Sequence, residues 1–397
     1  MANRKESEVK SLLQHANLEE KDLLPETQVL YFTPGFQSEE DNIVLLELDA
    51  ALLGSLQEGQ SAVLRGDPQE SAVLCTNNKT FEVRGAVTSN SMLLVPELQV
   101  PSRKLGERTL AYREVTSLQH NYLEVLPSKP RFHKLQQLLE ECPYRGQEEE
   151  EEMEVDQQHN KGQKYCLNEL LERIQCSEEE LEAGLKTLGA FHIYGFWQIP
   201  DFDYLFKIVS HITNLIQEKG WPLDAIPHDE ALEELSKHEP RTVMAQCLEY
   251  YLQPTHTERE DGDELHALNG DKVCRLFGEV ILRSTSGMEL PEFLNMWGLS
   301  VPEGLTVSVS QLEGLMLLEK SMSTTVITYF PVAALPLDIR SRFECLFHAQ
   351  EKWTYEEIRP FLEDLADIKT PVSTLLMKHA RGSTINGVKC YSGRYAK

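Results

Sequence analysis

The residue types that could carry out catalysis do not fall into a recognised catalytic spacing in this 397-residue chain. The sequence has no GxxxxGK[ST] loop for nucleotide phosphates and no GxGxxG or GxSxG turn. His238-Glu239 lacks the second histidine of an HExxH zinc site, and the twelve histidines show no ligand spacing. We therefore predict a protein that is not an enzyme and that uses no cofactor and no metal.

Positive charge is concentrated at one end of an acidic chain. The last 30 residues, 368–397, contain six Lys and Arg side chains and no carboxylate, whereas the whole chain carries a net charge of −26. Cations beside hydroxyls and a helix N-terminus suit the phosphate backbone of double-stranded or primed DNA, without sequence preference. The predicted DNA-contacting residues are Lys369, Thr370, Ser373, Lys378, Arg381, Ser383, Lys389, Arg394 and Lys397. The alternative is a basic tail that improves solubility or binds an acidic partner.

An acidic helix earlier in the chain has the opposite character. Ser177 is a helix cap, with Glu180 completing a capping box, and the first turn is dense in carboxylates. Such a surface repels phosphate, so we predict that Glu178, Glu179 and Glu182 contact a protein rather than DNA.

The elements that position the basic residues are predicted from caps and turns. Thr354 with Glu357 begins a helix that Pro360 kinks or splits, and Thr370 caps the next helix with Pro371 at its first position. Asn386-Gly387 then predicts a tight β-hairpin. Helices followed by a two-stranded ribbon are the order of a winged helix.

The same order of elements is predicted three times. We expect winged-helix domains at 163–202, at 203–335 with extra helices, and at 336–397. Within 203–335 we predict helices near 204–218, 242–252 and 271–283, then a helix pair and a ribbon. Winged helices bind DNA or protein, so the fold alone does not decide the function.

The N-terminal 100 residues are predicted to form mainly short strands rather than helices. A helix is predicted over 5–24, followed by six short strands bounded by turn residues. These strands predict a small β-barrel-like domain or an open sheet whose exposed edges need a partner. A connecting segment with an acidic linker occupies 101–162. The predicted class is thus α+β: a small β-barrel-like domain followed by three tandem winged-helix domains.

Cysteine usage indicates a reducing compartment. The eight cysteines include no CxxC pair, which predicts free thiols in the nucleus or the cytosol. The hydrophilic start predicts no secretory signal, and no apolar run is long enough for a membrane span.

Several segments resemble one known family. They are EKWTYEEI at 351–358, NGVK at 386–389, VPEG at 301–304, DKVCR at 271–275 and VLLEL at 44–48. RGD at 65–67 with AVLC at 72–75 extends the likeness. In these segments the chain resembles the sister chromatid cohesion family (DSCC, or Dcc).

The resemblance implies a nuclear, non-catalytic subunit of the alternative clamp loader that loads PCNA. It implies that the N-terminal part joins the large and small subunits of that loader. It further implies that the winged helices link the loader to the catalytic subunit of DNA polymerase epsilon and to DNA. The alternative is a tandem winged-helix protein-interaction scaffold without DNA binding.

Overall fold

The structure is a computed structural model of the chain. It describes residues 6–15, 17, 27–32, 36, 43–66, 71–98, 110–130, 132–147, 162–259, 262–320, 324–366, 370–385 and 387–394. The chain forms two compact units, which are described separately. The first unit contains residues 1–60 and 82–126, and the second contains residues 61–81 and 127–397.

The described chain contains both helices and strands, as an α+β fold requires. The helices are α1 (Glu6–His15), α2 (Ala50–Gln57), α3 (His133–Glu140), α4 (Leu167–Arg173), α5 (Glu178–Thr187), α6 (Phe202–Lys219), α7 (His228–Leu235), α8 (Arg241–Tyr251), α9 (Gly270–Ser284), α10 (Leu290–Ser300), α11 (Ile339–Ala349), α12 (Tyr355–Ile358) and α13 (Val372–His379). The strands are β1 (Thr27–Tyr31), β2 (Leu46–Glu47), β3 (Val63–Arg65), β4 (Val73–Cys75), β5 (Thr80–Leu94), β6 (Leu110–Glu114), β7 (Ser117–Pro127), β8 (Phe191–Ile193), β9 (Phe196–Gln198), β10 (Ile226–Pro227), β11 (Leu252–Glu258), β12 (Glu264–Leu268), β13 (Met288–Glu289), β14 (Met316–Lys320), β15 (Thr325–Tyr329), β16 (Trp353–Thr354), β17 (Ala380–Ile385) and β18 (Val388–Gly393).

Strands dominate the first unit, and few of its side chains are buried. β1 pairs in parallel with β6, and β2 pairs in parallel with β7. Among the described apolar residues of this unit, only Leu52, Val115 and Val125 are buried, whereas Phe32 and Tyr112 are 52% and 64% exposed. Two predicted strands merge into the single long β5, and β6 and β7 occupy a stretch without a predicted element. The pairing is that of open sheets.

The second unit begins with a hairpin that docks onto helices far along the chain. β3 and β4 pair in register from Val63↔Cys75. The Arg65 Nη1 atom donates to the Leu171 carbonyl oxygen at 2.7 Å. Thr80 donates its hydroxyl proton to the Glu180 carboxylate at 2.5 Å and accepts a hydrogen bond from the Ser177 amide at 2.9 Å. The N-terminus of α5 is therefore tied to residues about one hundred positions earlier.

Among the described residues of this unit, one succession of elements occurs four times: a helix, a short strand, a second helix, a third helix or 3-10 turn, and a two-stranded ribbon. Repeat 1 runs from α3 to β9, repeat 2 from α6 to β12, repeat 3 from α9 to β15 and repeat 4 from α11 to β18. In each repeat the short strand, or in repeat 1 the bridge at Tyr165, pairs with the second ribbon strand.

The expected large copy at 203–335 thus contains two repeats of the plan. The predicted helices there correspond to α6, α8 and α9, but α7 and the ribbon β11–β12 have no predicted counterpart. Polar residues and Pro254 interrupt that ribbon, whose register shifts between Pro254 and Thr257. The second helix of the predicted pair, near 310–315, is instead a 3-10 turn at Val309–Leu312.

Three clusters of buried side chains form the cores of the part of this unit that the structure describes. Leu170 and Leu181 belong to the core of repeat 1, and Trp353 belongs to that of repeat 4. A single cluster that includes Leu248 and Trp297 serves repeats 2 and 3 together. Because these two repeats share one core, their boundary leaves no break in the apolar pattern of the sequence.

The caps of the first and the last predicted copies test the local predictions. Both capping boxes are present, Ser177 with Glu180 and Thr354 with Glu357, and α12 ends at Ile358 just before Pro360. Thr370, however, is not the cap of α13. The helix begins at Val372 with Pro371 in the cap position and without a side-chain cap.

Candidate nucleic-acid interface

Helix α13 turns one apolar face inward and a polar face outward. Val372, Leu375 and Leu376 are buried at helical spacing, so the opposite side of the helix is left to solvent. Ser373 and Lys378 lie on that exposed side. Met377 lies beside them and is 66% exposed. The helix therefore presents one hydroxyl, one cation and one thioether.

The ribbon that follows carries cations on both faces. In its register Arg381 lies opposite Ser392, whereas Lys389 lies opposite Thr384. Directly opposed residues share a face and neighbours along a strand alternate, so Arg381 and Ser383 share one face and Lys389 lies on the other. The Lys389 Nζ atom lies 5.4 Å from the centroid of the Tyr391 ring. The predicted cations are brought together on one narrow ribbon but do not form a single flat surface.

Arg394 differs from the other cations because its hydrogen bonds are internal. Its Nη2 atom donates to the Met377 carbonyl oxygen at 2.7 Å, and its Nε atom donates to the Ala380 carbonyl oxygen at 3.4 Å. The guanidinium thus holds the C-terminus of α13 against the ribbon. It is a positioning residue that keeps its positive charge.

The cations of this surface are not neutralised by nearby acids. Among the ion pairs of the described residues, none involves Lys378, Arg381, Lys389 or Arg394. By contrast, Arg359 in the same repeat lies within 4 Å of three carboxylates. The positive potential of α13 and its ribbon is therefore available to an anion. Of the other predicted residues, Thr370 precedes the helix, and Lys369 and Lys397 lie outside the described residues.

A buried arginine supports this surface, and the sequence reasoning missed it. Arg342 has no solvent exposure, and its guanidinium makes two hydrogen bonds with the Asp364 carboxylate, at 3.1 and 2.9 Å. Its Nη1 atom also donates to the Phe361 carbonyl oxygen at 2.8 Å. A paired and fully hydrogen-bonded buried charge fixes α11 to the turns before α13. The available signal was its position on the apolar stripe of α11, one residue before the buried Phe343.

The acidic helix α5 of repeat 1 occupies the place that α13 has in repeat 4. Glu178, Glu179 and Glu182, for which a protein contact is predicted, are all exposed. Glu180 instead points inward to Thr80 and Ser177. One side of the helix N-terminus is thus covered by the chain itself, and the three predicted carboxylates remain on the open side.

The corresponding helices of repeats 2 and 3 are not comparably open. In α8 the Gln246 side chain accepts from the His192 amide at 2.6 Å and donates to the His192 carbonyl oxygen at 3.1 Å. That helix therefore packs on the ribbon of repeat 1. Repeat 3 has only a short 3-10 turn at this place. An exposed third helix is left at α5 and at α13.

The buried thiols of the second unit are poor nucleophiles. Burial raises the pKa of Cys176 to about 12 and that of Cys274 to about 11. Burial also raises the pKa of Cys247. These groups stay protonated at neutral pH, and a thiol is much less reactive than a thiolate. Among the described residues no group of three His, Cys, Asp or Glu side chains is arranged to hold a metal ion. No described helix is long and apolar enough to cross a membrane.

Comparison with known proteins places the chain in a family. The family model for sister chromatid cohesion protein Dcc1 matches residues 43–362. The chain belongs to the Dcc1 family. It is 38% identical to the sister chromatid cohesion protein DCC1 of Danio rerio, over 98% of this chain and 97% of that protein. The Homo sapiens DCC1 protein is 36% identical, over 98% of each chain. The Saccharomyces cerevisiae protein is 24% identical, over 85% of this chain and 92% of that protein.

Membership of the Dcc1 family supports a role in sister chromatid cohesion. The family model ends at residue 362, before α13 and its ribbon. The alignments with the Danio and human Dcc1 proteins nevertheless cover nearly the whole chain.

Proposed function

We propose that this member of the Dcc1 family is a non-catalytic adaptor in sister chromatid cohesion, and that it holds DNA through repeat 4. The repeats are winged helices in this proposal, with α13 and the ribbon β17–β18 as the helix and wing that meet DNA. The supporting observation is the set of exposed cations at Lys378, Arg381 and Lys389, which have no described carboxylate partner.

The chemistry of this surface favours the DNA backbone over the bases. Cations at the helix end and on both faces of the ribbon can each approach a phosphate. No arginine or asparagine cluster in the described part of α13 is arranged for the edges of bases. We expect binding without sequence preference. Its affinity should fall as the salt concentration rises, because added salt reduces the free energy gained when counterions are released from the DNA.

The experiment is a titration of the full chain with a labelled 25-base-pair duplex over a range of salt concentrations. The logarithm of affinity should fall with the logarithm of salt concentration with a slope of about −3 to −5, if four or five phosphates are neutralised. The double variant Lys378→Glu with Arg381→Glu should weaken binding at least about tenfold at 100 mM salt.

A matched control changes the net charge equally elsewhere. Lys237 and Arg340 have side chains 62% and 80% exposed and lie outside the proposed surface. Replacing both with Glu should leave the affinity within about twofold and preserve the slope. A complex that does not respond to salt, or equal losses in both double variants, would contradict the proposal.

The partner contacts are proposed from the resemblance and from exposure. The first unit leaves β1 largely uncovered, with Leu30 and Tyr31 exposed together with Tyr112 of β6. We propose that the large and small subunits of the alternative clamp loader cover these strands. Glu178, Glu179 and Glu182 on α5 are proposed to face the catalytic subunit of DNA polymerase epsilon. The link to PCNA is then indirect, through the loader, and the site of action is the nucleus.

Co-expression tests the first of these contacts. The full chain with Leu30→Asp and Tyr112→Asp should no longer copurify with the two loader subunits, because each substitution buries a charge in the proposed contact. The pair Glu178→Lys and Glu182→Lys should keep the loader subunits and lose the polymerase. Loss of both partners in both variants would contradict the assignment of the two surfaces to different partners.

A scaffold role without DNA has one specific observation in its favour. Met377 on α13 and Ile385 and Val388 at the ribbon tip are exposed apolar side chains on the same repeat. Such residues suit a protein partner. A protein contact dominated by them would be insensitive to salt, so the titration above distinguishes the two functions.

A further inference from the structure

The outer strand of the repeat 4 ribbon combines exposed hydroxyls with an unneutralised arginine. Arg381, Ser383 and Thr384 lie in β17 and are exposed. The strand order β16-β18-β17 places β17 at the edge of its sheet, so its outer backbone edge is not paired within that sheet. An extended, exposed edge strand is a segment that another protein's active-site cleft can reach.

The spacing of Arg381 and Thr384 is that of an arginine-directed kinase substrate, Arg-x-x-Ser/Thr. This spacing occurs in the chain with Ser7, Thr116, Ser286 and Thr384 as the acceptor residue. These sites differ in whether the arginine forms an ion pair with a carboxylate. Arg113, which precedes Thr116, pairs with Glu97 at 3.3 Å.

The arginine before Ser286 is also engaged. Arg283 pairs with Glu279 at 2.7 Å, and Arg4 before Ser7 lies outside the described residues. Arg381 takes part in no ion pair among the described residues. Its guanidinium is thus free of the competing carboxylate that a kinase would have to displace at the other two described sites.

We propose that Thr384 is a phosphorylation site for an arginine-directed protein kinase, and that phosphate there releases repeat 4 from DNA. The kinase and a nucleoside triphosphate are the co-reactants. The Thr384 hydroxyl oxygen forms a bond to the γ-phosphorus while the bond from that phosphorus to the bridging oxygen breaks. The hydroxyl proton passes to the carboxylate base of the kinase, and the nucleoside diphosphate leaves.

The release follows from the register of the ribbon. Thr384 lies directly opposite Lys389, which places their Cβ atoms about 5 Å apart. A phosphate on Thr384 brings a charge of about −1.5 to −2 and would form a charge-assisted hydrogen bond with the Lys389 ammonium. That cation would then be neutralised inside the ribbon, and the remaining negative charge would repel the DNA backbone. This part of the inference rests on the proposed DNA function.

The site is tested with the purified full chain, a purified arginine-directed kinase and Mg·ATP, with site occupancy followed by mass spectrometry. Thr384 should be modified before Thr116 and Ser286. Arg381→Gln should slow the modification of Thr384 at least tenfold and leave that of Thr116 unchanged. Modification of Thr116, Ser286 or Ser383 ahead of Thr384 would overturn the assignment.

The switch is tested on the modified chain with the labelled duplex. At 100 mM salt the dissociation constant should rise at least about tenfold, and the salt slope should become shallower by about 1 to 2. Thr384→Val, treated with kinase in parallel, should keep the affinity of the untreated chain. Unchanged affinity of the phosphorylated chain would overturn the switch. If the untreated chain fails to bind the duplex, the DNA function and the switch both fall, whereas the order of phosphorylation still decides the site.

Discussion

Repeats 1 and 4 share one plan of elements but expose opposite charges. The third helix of repeat 1 presents carboxylates and has its N-terminus tied to Thr80 at the start of β5. The third helix of repeat 4 presents a cation and is supported by the buried Arg342. The common backbone plan therefore does not determine the partner. Side-chain charge, and what already covers the helix, distinguish the two repeats.

The largest effect is expected from removing the support of repeat 4. Arg342→Ala leaves Asp364 and the Phe361 carbonyl oxygen without their partner, which should cost about 3–5 kcal/mol. Hydrogen exchange of the full chain should show faster exchange in α11 and β18, with repeat 1 unaffected. Arg340→Ala, on the exposed side of the same helix, is the control and should change little. Equal losses in both variants would show that the buried pair is not what holds the repeat.

The corresponding support in repeat 1 is Glu180. Glu180→Ala removes an acceptor shared by the Thr80 and Ser177 hydroxyls, and hydrogen bonds to a charged group are worth about 1.5–3 kcal/mol. Exchange should increase at the start of β5 and at the start of α5. Glu179→Ala, whose side chain is exposed, should stay within about 0.5 kcal/mol of the parent chain. If the two alanine variants behave alike, the start of β5 is held by other contacts.

Reversing the charge of α5 asks whether the shared plan is sufficient for DNA binding. Glu178→Lys, Glu179→Lys and Glu182→Lys together should raise the affinity of the full chain for the duplex by about tenfold at 100 mM salt, because cations are added to an exposed third helix. The matched change to Gln should raise it less. An unchanged affinity in the Lys variant would mean that repeat 1 lacks a wing able to follow the backbone.

The smallest expected effect concerns a pH dependence that links the two repeats. Burial lowers the pKa of His133 in α3; Asp364 opposes this shift and Arg342 adds to it. The folded chain thus binds fewer protons at His133 than the unfolded chain does. The contribution of uncharged His133 to the stability is fully present above the ordinary histidine pKa of about 6.5. This contribution is lost as the pH falls below that value.

His133→Asn should therefore flatten the change in melting temperature between pH 7.5 and 5.5. Gln136→Asn, in the same helix, removes no titratable group and is the control; it should leave that change as it is in the parent chain. A melting temperature that changes more steeply with pH in the His133 variant than in the parent chain would contradict the expected direction of the effect.

Local signals in the sequence predicted the local parts of repeat 4 and failed for the distant ones. The capping boxes and the ribbon follow from residues within four positions of each other, so Thr354 with Glu357 was sufficient to locate α12. The cap at Thr370 failed because Pro371 occupies the cap position itself. Arg342 with Asp364 and Gln246 with His192 join residues 22 and 54 positions apart. No periodicity in a single sequence marks such pairs.

The number of repeats was obscured by packing. Repeats 2 and 3 share one core, so the apolar stripes run on from one to the next without a polar linker. The ribbon β11–β12 of repeat 2 contains a proline and a register shift, which hide the alternation typical of strands. For the proposed DNA-binding surface, composition was sufficient to identify the cationic ribbon. The placement of Arg381 and Lys389 on opposite faces required the register of the strand pair.

The two hydrogen bonds between the Gln246 side chain and the His192 backbone have a consequence for the solubility of the chain. β8 is the outer strand of its ribbon, and an unpaired outer strand can template addition of a strand from another molecule. The Gln246 amide uses both the N–H and the C=O of His192, as a neighbouring peptide unit would. The Gln246 side chain thus occupies this edge and prevents the addition of another strand. Gln246→Ala should therefore make the chain prone to self-association.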